Sequence, residues 1–314
     1  MRHFLIDTDT ASDDAVALVM AVNHPEIEVE AITIVAGNVP LDQGVQNALY
    51  TLELCGSQVP VYPGLSHPLL RQLETAQFVH GQDGMGDIGL PLSGRMPAGP
   101  AGSATQTIID TIHRFAGDIT LVTLGPLSNI ASALLHDPTI AGEVSRCIIM
   151  GGTGRGHGNM TPVAEYNIWV DPEAAHIVFE SGMPITMVGW DISYTYATFA
   201  PEDSQALRAL GTPLAHFCVD IQQMVNKFAI EVTNLEGYDL PDPIAMAIAL
   251  DPEVATHTVS PHVAIEIHSQ LCRGQTVVDH LRLTDNEPNV EVVLEASRER
   301  FLALLHAAVQ APTA

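Results

Sequence analysis

The chain has 314 residues, 46% hydrophobic and 16% charged, a composition typical of a globular protein with a large core. Its formal net charge of −25 argues against a nucleic acid as partner, because phosphate binding requires a basic surface. The four cysteines form no CxxC pair, so we expect neither a zinc ribbon nor a disulfide framework. We see neither a signal peptide nor an apolar run of membrane-helix length, and therefore expect a cytoplasmic protein with no membrane contact.

Strand-like and helix-like segments alternate along most of the chain. Apolar runs predict strands at 4–9, 29–35, 59–62, 119–124, 145–150, 185–188, 263–268 and 290–294. Helical patterns occur at 13–23, with Ser12 or Asp13 as cap, and at 42–55, 103–115, 126–135, 172–181 and 296–309. Near-continuous apolar strands separated by helices predict an α/β fold with an open, mostly parallel central sheet covered by helices on both faces.

We find no linker or internal repeat, and we interpret 1–314 as one domain. A segment rich in glycine and proline around 64–102 predicts a flap, and the pattern around 200–250 predicts a mobile helical region. In a parallel α/β fold the ligand lies beyond the carboxyl ends of the strands. Asp9, Asn38, Leu124, Met150 and Asp191 all fall at or just after a predicted strand end, so we expect the site there.

Four aspartates, Asp7, Asp9, Asp13 and Asp14, stand around the end of the first predicted strand. Their carboxylates would repel one another and resist burial. Ca²⁺ or Mg²⁺, which prefers carboxylate and carbonyl oxygens, would neutralise two of these charges. The dipole of the following helix would account for Asp13 and Asp14 but not for Asp9. We therefore favour a metal site over a set of solvated helix-terminal carboxylates.

Two other aspartate-based sites fit the sequence less well. An EF-hand loop starting at Asp7 needs a glycine at its sixth position and a glutamate at its twelfth, where Ser12 and Leu18 stand. A phosphotransferase of the haloacid dehalogenase type would have threonine or valine at Ala11. Phosphoryl transfer is further disfavoured by the single lysine, Lys227, and by the absence of a P-loop motif.

The aspartate cluster is the first of several motifs that occur in a fixed order. They are DxDxxxDD at 7–14, AGN at 36–38, HG at 80–81, LGPLSNIA at 124–131, MGG at 150–152, GNMTPVAEYNIWVDPEAA at 158–175 and DP at 242–243. Together they resemble the nucleoside hydrolase family, of the inosine–uridine-preferring type, over nearly the whole chain. The resemblance implies a Rossmann-like single domain that hydrolyses the N-glycosidic bond of ribonucleosides to ribose and free base. It also implies Ca²⁺ as cofactor, a role in nucleoside catabolism or salvage, and a homodimer or homotetramer.

Carried over residue by residue, the resemblance implies a metal site beside a ribose site. Asp9 would accept the proton of a Ca²⁺-bound water, and such a water has a lowered pKa. The implied metal ligands are Asp9, Asp14, the Leu124 carbonyl and Asp242. The implied substrate-binding residues are Asp13, Asn38, Asn167 and Asp242 for the 2′- and 3′-hydroxyls, and Asn159, Glu165 and the Met150 backbone for the 5′-hydroxyl.

The group that protonates the departing base is the open question. Many relatives have a histidine directly before the last aspartate, and this chain has Pro241 there. The remaining candidates are His80, Tyr238 and Asp239, together with base stacking by Trp190 in the cluster that also contains Tyr194 and Tyr196. Two alternatives to an ordinary hydrolase stay open: a non-catalytic nucleoside- or ribose-binding protein, and a hydrolase of an unusual modified nucleoside. The sequence does not indicate the preferred base.

Overall fold

The computed structural model describes residues 1–233 and 236–311. Its strands are β1 (Arg2–Thr8), β2 (Ile27–Ile34), β3 (Val61–Pro63), β4 (Ile119–Thr123), β5 (Val144–Met150), β6 (Ile185–Val188), β7 (Thr198–Phe199), β8 (Tyr238–Asp239), β9 (Ala255–Val259), β10 (Val263–Ile265), β11 (Thr276–Val278) and β12 (Val290–Ala296). Its α-helices are α1 (Ser12–Val22), α2 (Leu41–Leu54), α3 (Gln77–His80), α4 (Ala104–Arg114), α5 (Ser128–His136), α6 (Tyr166–Val170), α7 (Pro172–Phe179), α8 (Trp190–Tyr196), α9 (Pro201–Arg208), α10 (Pro213–Asp220), α11 (Gln223–Phe228), α12 (Pro241–Leu250) and α13 (Arg298–Gln310).

Eight strands form the central sheet in the order β3-β2-β1-β4-β5-β6-β12-β9. All neighbouring pairs in this sheet are parallel except β12 and β9, which are antiparallel at one edge. This arrangement confirms the predicted open, mostly parallel α/β fold. The carboxyl ends of β1, β4 and β5 lie side by side because these three strands are adjacent and parallel.

The central strands are buried on both faces, as their continuous apolar sequences predict. In β1, Phe4 and Ile6 pack into one apolar cluster with α1, α2, α12 and α13. Leu5 points to the other face and packs with α4, α5 and α7. Among the described residues, no helix is both long and apolar enough to cross a membrane.

Several local predictions differ from the structure. β1 ends at Thr8, so Asp9 follows the strand instead of closing it. The prediction that Ser12 or Asp13 caps α1 is wrong, because the helix begins at Ser12 after Ala11. The Ala11 N–H is satisfied from inside the helix, by Asp14 Oδ2 at 2.8 Å. The sequence pattern does not predict several short elements individually, because most of them are too short to show a periodic pattern. These are α3, α6, α8, β7, β8, β9 and β11.

The segment around 64–102 connects β3 to α4 and contains one short helix, α3. Two amide side chains connect this segment to α5 and α2. Asn129 Oδ1 accepts the Leu65 N–H at 2.9 Å, and Asn47 Nδ2 donates to the Asp83 carbonyl at 2.9 Å. The region around 200–250 is helical, as predicted, from α9 to α12, and β7 and β8 pair between them. The mobility of that region stays a prediction.

Candidate active site

A cleft of about 870 Å³, including its open mouth, lies at the carboxyl edge of the sheet. This volume is in the range of small-molecule binding sites. The cleft brings together most of the side chains singled out in the sequence: Asp13, Asn38, His80, Leu124, Met150, Asn159, Glu165, Asn167, Trp190 and Asp242. The prediction that strand ends form one site therefore agrees with the position of the cleft.

Some predicted residues lie outside the lining. Asp9 and Asp14 are fully buried behind the lining, and Asp14 belongs to the carboxylate group described below. Tyr238 points away from the cleft: its ring stacks on Phe199 with a centroid distance of 5.8 Å, and its hydroxyl lies 3.1 Å from Ser204 Oγ. Asp191 lies in α8, just after the end of β6 but outside the lining, and its carboxylate accepts the N–H groups of Gly154 and Arg155, each at 2.9 Å.

Asp9 lies in a tightly packed position between two glycine-containing turns. Its Oδ2 accepts the Asn38 N–H at 2.5 Å. A Cβ at Gly37 would lie 2.1 Å from Asp9 Oδ2, and one at Gly125 would lie 2.9 Å from Asp9 Oδ1. The glycines of the AGN and LGP motifs thus provide the space that the Asp9 carboxylate occupies.

Asp13, Asp14 and Asp242 form a buried carboxylate group, in which one oxygen of each residue lies within 4.8 Å of the others. Asp14 is fixed by the hydroxyl of Thr8, which donates to Oδ1 at 2.5 Å. Burial raises the pKa of Asp13 to about 6, and burial together with the charge of Asp13 raises that of Asp14 to about 6. Burial and the neighbouring carboxylates also raise the pKa values of Asp9 and Asp242 well above the usual range.

The donor set fits a hard divalent cation such as Ca²⁺. Asp9 Oδ1 and Asp13 Oδ1 are buried and accept no hydrogen bond from the described residues, so both oxygens have lone pairs without a partner. The Leu124 carbonyl accepts one hydrogen bond, from Asn167 Nδ2 at 2.8 Å, which leaves its second lone pair available. Carboxylate and carbonyl oxygens are the ligands that Ca²⁺ prefers, and a cation would relieve the repulsion that raises these pKa values.

Glu165 and Asn167 are held at the start of α6, a helix that the sequence pattern did not reveal. Glu165 caps this helix: its Oε1 accepts the Asn167 N–H at 2.8 Å. Its Oε2 accepts the Gly152 N–H at 2.8 Å, and burial raises the pKa of Glu165 to about 7. Asn159, also in the lining, accepts the N–H of Tyr166 at 2.9 Å. These contacts connect the loop after β5 to α6 beside the carboxylate group.

His80 belongs to a hydrogen-bond chain that fixes its protonation state. Gln222 Nε2 donates to the Ser12 carbonyl at 2.9 Å, so Gln222 Oε1 is left to accept the Ser12 hydroxyl proton at 3.0 Å. Ser12 Oγ, 3.1 Å from His80 Nδ1, can then only accept, which requires the proton on Nδ1. Burial lowers the pKa of His80 to about 4. Its imidazole is therefore neutral, with an unprotonated Nε2.

The rest of the wall contains residues that sequence reasoning missed. Phe78 of α3 and Phe228 of α11 both line the cleft, with ring centroids 5.7 Å apart and an interplanar angle of 66°. No motif marks either residue, because their contact depends on two helices that are distant in sequence. Trp190 of α8 and Asp239 of β8 also line the cleft. The sequence indicated Asp239 only as one of several acid candidates.

Comparison with known proteins decides the family. The model of the inosine-uridine preferring nucleoside hydrolase family matches residues 4–303. The chain belongs to this family. A pyrimidine-specific ribonucleoside hydrolase, RihA, of Salmonella schwarzengrund is 38% identical to it over 303 residues, which are 96% of each chain.

Solved structures of nucleoside hydrolases agree with this assignment. A plant nucleoside hydrolase, PpNRh1, has a TM-score of 0.92 with 33% identity and 99% coverage of each chain. A purine-preferring ribonucleoside hydrolase from Gardnerella vaginalis has a TM-score of 0.90 with 34% identity and 98% coverage of each chain. The protein is therefore an N-ribosyl hydrolase, which favours the enzyme over a non-catalytic nucleoside-binding protein.

Proposed function

We propose that this nucleoside hydrolase requires Ca²⁺ and uses Asp9 to accept the proton of the attacking water. The observation that carries the proposal is the buried carboxylate group next to Asp9, together with the unpaired oxygens Asp9 Oδ1 and Asp13 Oδ1. Asp9, Asp14, Asp242 and the Leu124 carbonyl would hold the cation. When bound, Ca²⁺ would neutralise these charges and lower the pKa of water next to it.

Asp9 is prepared for proton transfer by its surroundings. The Asn38 N–H fixes Oδ2, whereas Oδ1 has no hydrogen-bond donor among the described residues and is free to accept a proton. Gly37 and Gly125 leave room for the Asp9 carboxylate at this position, which a Cβ on either residue would take up. A general base held in this way needs no reorganisation during the reaction.

The sugar is bound next to Asp9. Asp13, Asn38, Asn167 and Asp242 would hold the 2′- and 3′-hydroxyls, and the carboxylates would stabilise the positive charge that develops on the ribose as the glycosidic bond breaks. Asn159, Glu165 and the Met150 backbone would surround the 5′-hydroxyl. A site built for the 2′-hydroxyl leaves buried polar groups unpaired when that hydroxyl is missing, so a 2′-deoxynucleoside should be a poor substrate.

The base would occupy the part of the cleft lined by Phe78, Phe228 and Trp190, where aromatic rings can stack on it. The relatives of the chain include both a pyrimidine-specific and a purine-preferring enzyme. A substrate panel therefore has to include purine, pyrimidine and modified ribonucleosides.

The test is reducing-sugar release from this panel, with the matched 2′-deoxynucleoside as the control for each base. We expect release from at least one ribonucleoside, and a rate lower by about 10⁴-fold for its 2′-deoxy counterpart. Absence of release from every ribonucleoside, in the presence of Ca²⁺, would contradict the proposed function. Equal rates for the ribo and deoxy substrates would contradict the assignment of the hydroxyl-binding residues.

A further inference from the structure

Asp239 is in the cleft for a reason that follows from strand geometry. It is the second residue of β8, which pairs with β7 in antiparallel register, Phe199 with Tyr238 and Thr198 with Asp239. Successive side chains of a strand point to opposite sides. Tyr238 packs on Phe199, outside the cleft, and Asp239 accordingly faces the cleft.

Two donors from α8 surround the Asp239 carboxylate. Ser193 Oγ lies 2.8 Å from Asp239 Oδ2, and the indole N–H of Trp190 also donates to this carboxylate. Ser193 Oγ lies 2.9 Å from the Trp190 carbonyl as well. The hydroxyl can therefore donate to Asp239 when the carboxylate is ionised, or donate to the carbonyl and accept from Asp239 when the carboxyl group is protonated. The same geometry serves both charge states.

The other ionisable side chains that line the cleft are already committed. Glu165 uses both oxygens to accept backbone N–H groups, and the Tyr166 hydroxyl donates to the Glu74 carbonyl. Asp13 and Asp242 belong to the carboxylate group. His80 has its proton on Nδ1, which is directed at Ser12, so its Nε2 is an acceptor. Pro241 has no side-chain proton to give.

We propose that Asp239 is the acid that protonates the departing base, a role that rests on the proposed function. As the C1′–N bond breaks, its electron pair moves onto the base, and the Asp239 carboxyl proton passes to a ring nitrogen or exocyclic oxygen of the base. Water adds its hydroxyl to C1′ and gives its other proton to Asp9. Asp239 is left as a carboxylate stabilised by Ser193 and Trp190, and it regains a proton from solvent when the base leaves.

The electrostatic surroundings of Asp239 support this role. Burial raises the pKa of Asp239 above its ordinary value, whereas the hydrogen bonds from Ser193 and Trp190 oppose this rise. A raised pKa shifts Asp239 toward the protonated form that a general acid needs, and the hydrogen bonds stabilise the carboxylate that remains after proton transfer.

The experiment separates base protonation from the rest of the reaction through the leaving group. Asp239→Asn and Asp239→Ala are assayed with a ribonucleoside and with 4-nitrophenyl β-D-ribofuranoside, whose leaving group departs as a stable anion without a proton. Asp110→Asn is the matched control, because Asp110 is an exposed carboxylate on α4 that contacts Gln106. We expect kcat for the ribonucleoside to fall about 100-fold or more in both Asp239 variants, and kcat for the aryl riboside to stay within a factor of about three.

Retained aryl-riboside hydrolysis also shows that each variant is folded and keeps its ribose and water sites. The proposal would be overturned if kcat fell equally for both substrates in a variant whose unfolding temperature matches that of the wild type. Unchanged kcat for the ribonucleoside would also overturn it. If the wild-type enzyme cleaves neither substrate, the proposed function fails instead, and the two failures are thereby distinguished.

Discussion

At the scale of single residues, the aspartates of DxDxxxDD have separate surroundings that indicate separate roles. Asp7 is fully buried, and its Oδ1 accepts hydrogen bonds from Thr33 Oγ1 at 2.5 Å and Asn129 Nδ2 at 2.8 Å. Asn129 in turn binds the backbone of Leu65 at the start of the flap. Asp7 therefore connects β1, β2 and α5 with the flap, a role that the motif alone did not reveal.

Asp7→Ala should reduce stability more than chemistry. The substitution leaves the Asn129 amide and the Thr33 hydroxyl without their main acceptor, and each buried unsatisfied group costs about 1–3 kcal/mol. We expect the free energy of unfolding in urea to fall by about 2–4 kcal/mol, with KM nearly unchanged. Unchanged stability with a large loss of Ca²⁺ affinity would show instead that Asp7 acts on the metal.

Asp9→Asn should lower kcat by about 100-fold or more, because an amide cannot accept the proton of the attacking water. The Asn38 N–H can still be accepted by the amide oxygen, so we expect KM to change much less. The stabilisation of the variant by Ca²⁺, measured in thermal unfolding, shows whether the cation still binds. A variant that retains most of the wild-type kcat would rule out Asp9 as the base.

At the scale of secondary-structure elements, the sequence predicted the central strands and the long helices. The apolar runs are long enough to indicate strands, and the helical patterns repeat over more than one turn. It did not predict β7 and β8, two-residue strands whose pairing exists only in the tertiary structure. That pairing is what separates Tyr238 from Asp239, and sequence reasoning accordingly offered both as acids. Similarly, Phe78 and Phe228 meet only because α3 and α11 pack together.

The turn after β2 gives a prediction at this scale. Gly37→Ala would place a Cβ 2.1 Å from Asp9 Oδ2 and 2.8 Å from Pro126 Cδ, so the turn or the carboxylate must shift. We expect kcat to fall by at least about 10-fold, since a displacement of about 1 Å can cost 100-fold in rate. Gly142→Ala is the control, because a Cβ there meets no atom within 4 Å. Equal activity of both variants would show that Asp9 tolerates displacement.

At the scale of the whole molecule, the parallel sheet explains why motifs that are scattered along the chain form one site. The segments after β1, β2, β4 and β5 all reach the same edge, so Asp13, Asn38, Leu124 and Met150 converge in the cleft. The sequence predicted this convergence without the strand order, because any parallel arrangement aligns the carboxyl ends. The homodimer or homotetramer expected from the family resemblance stays a prediction, which light scattering can check.

The stability of the whole chain should depend jointly on Ca²⁺ and pH. Asp13 and Asp14 have pKa values of about 6 in the folded protein, above the ordinary 3.8, so the calcium-free fold binds their protons more tightly than the unfolded chain does. Their contribution to stability is therefore present below about pH 4 and is lost as the pH rises through about 6. Ca²⁺ must displace these protons.

We accordingly expect saturating Ca²⁺ to raise the unfolding temperature by about 5 °C or more at pH 8, and by less at pH 5. Differential scanning fluorimetry at both pH values measures this, with Asp14→Asn as the variant that should lose most of the shift. A Ca²⁺-induced shift of the same size at both pH values would contradict the carboxylates as its binding site.

The most direct test of the account is ribose release by chelator-treated enzyme before and after Ca²⁺ is added back, with a ribonucleoside that the untreated enzyme cleaves. We predict that removal of the metal abolishes release and that Ca²⁺ restores it in the wild type but not in Asp14→Asn. Full activity in the metal-depleted enzyme would contradict the central claim that the aspartate cluster works as a calcium site.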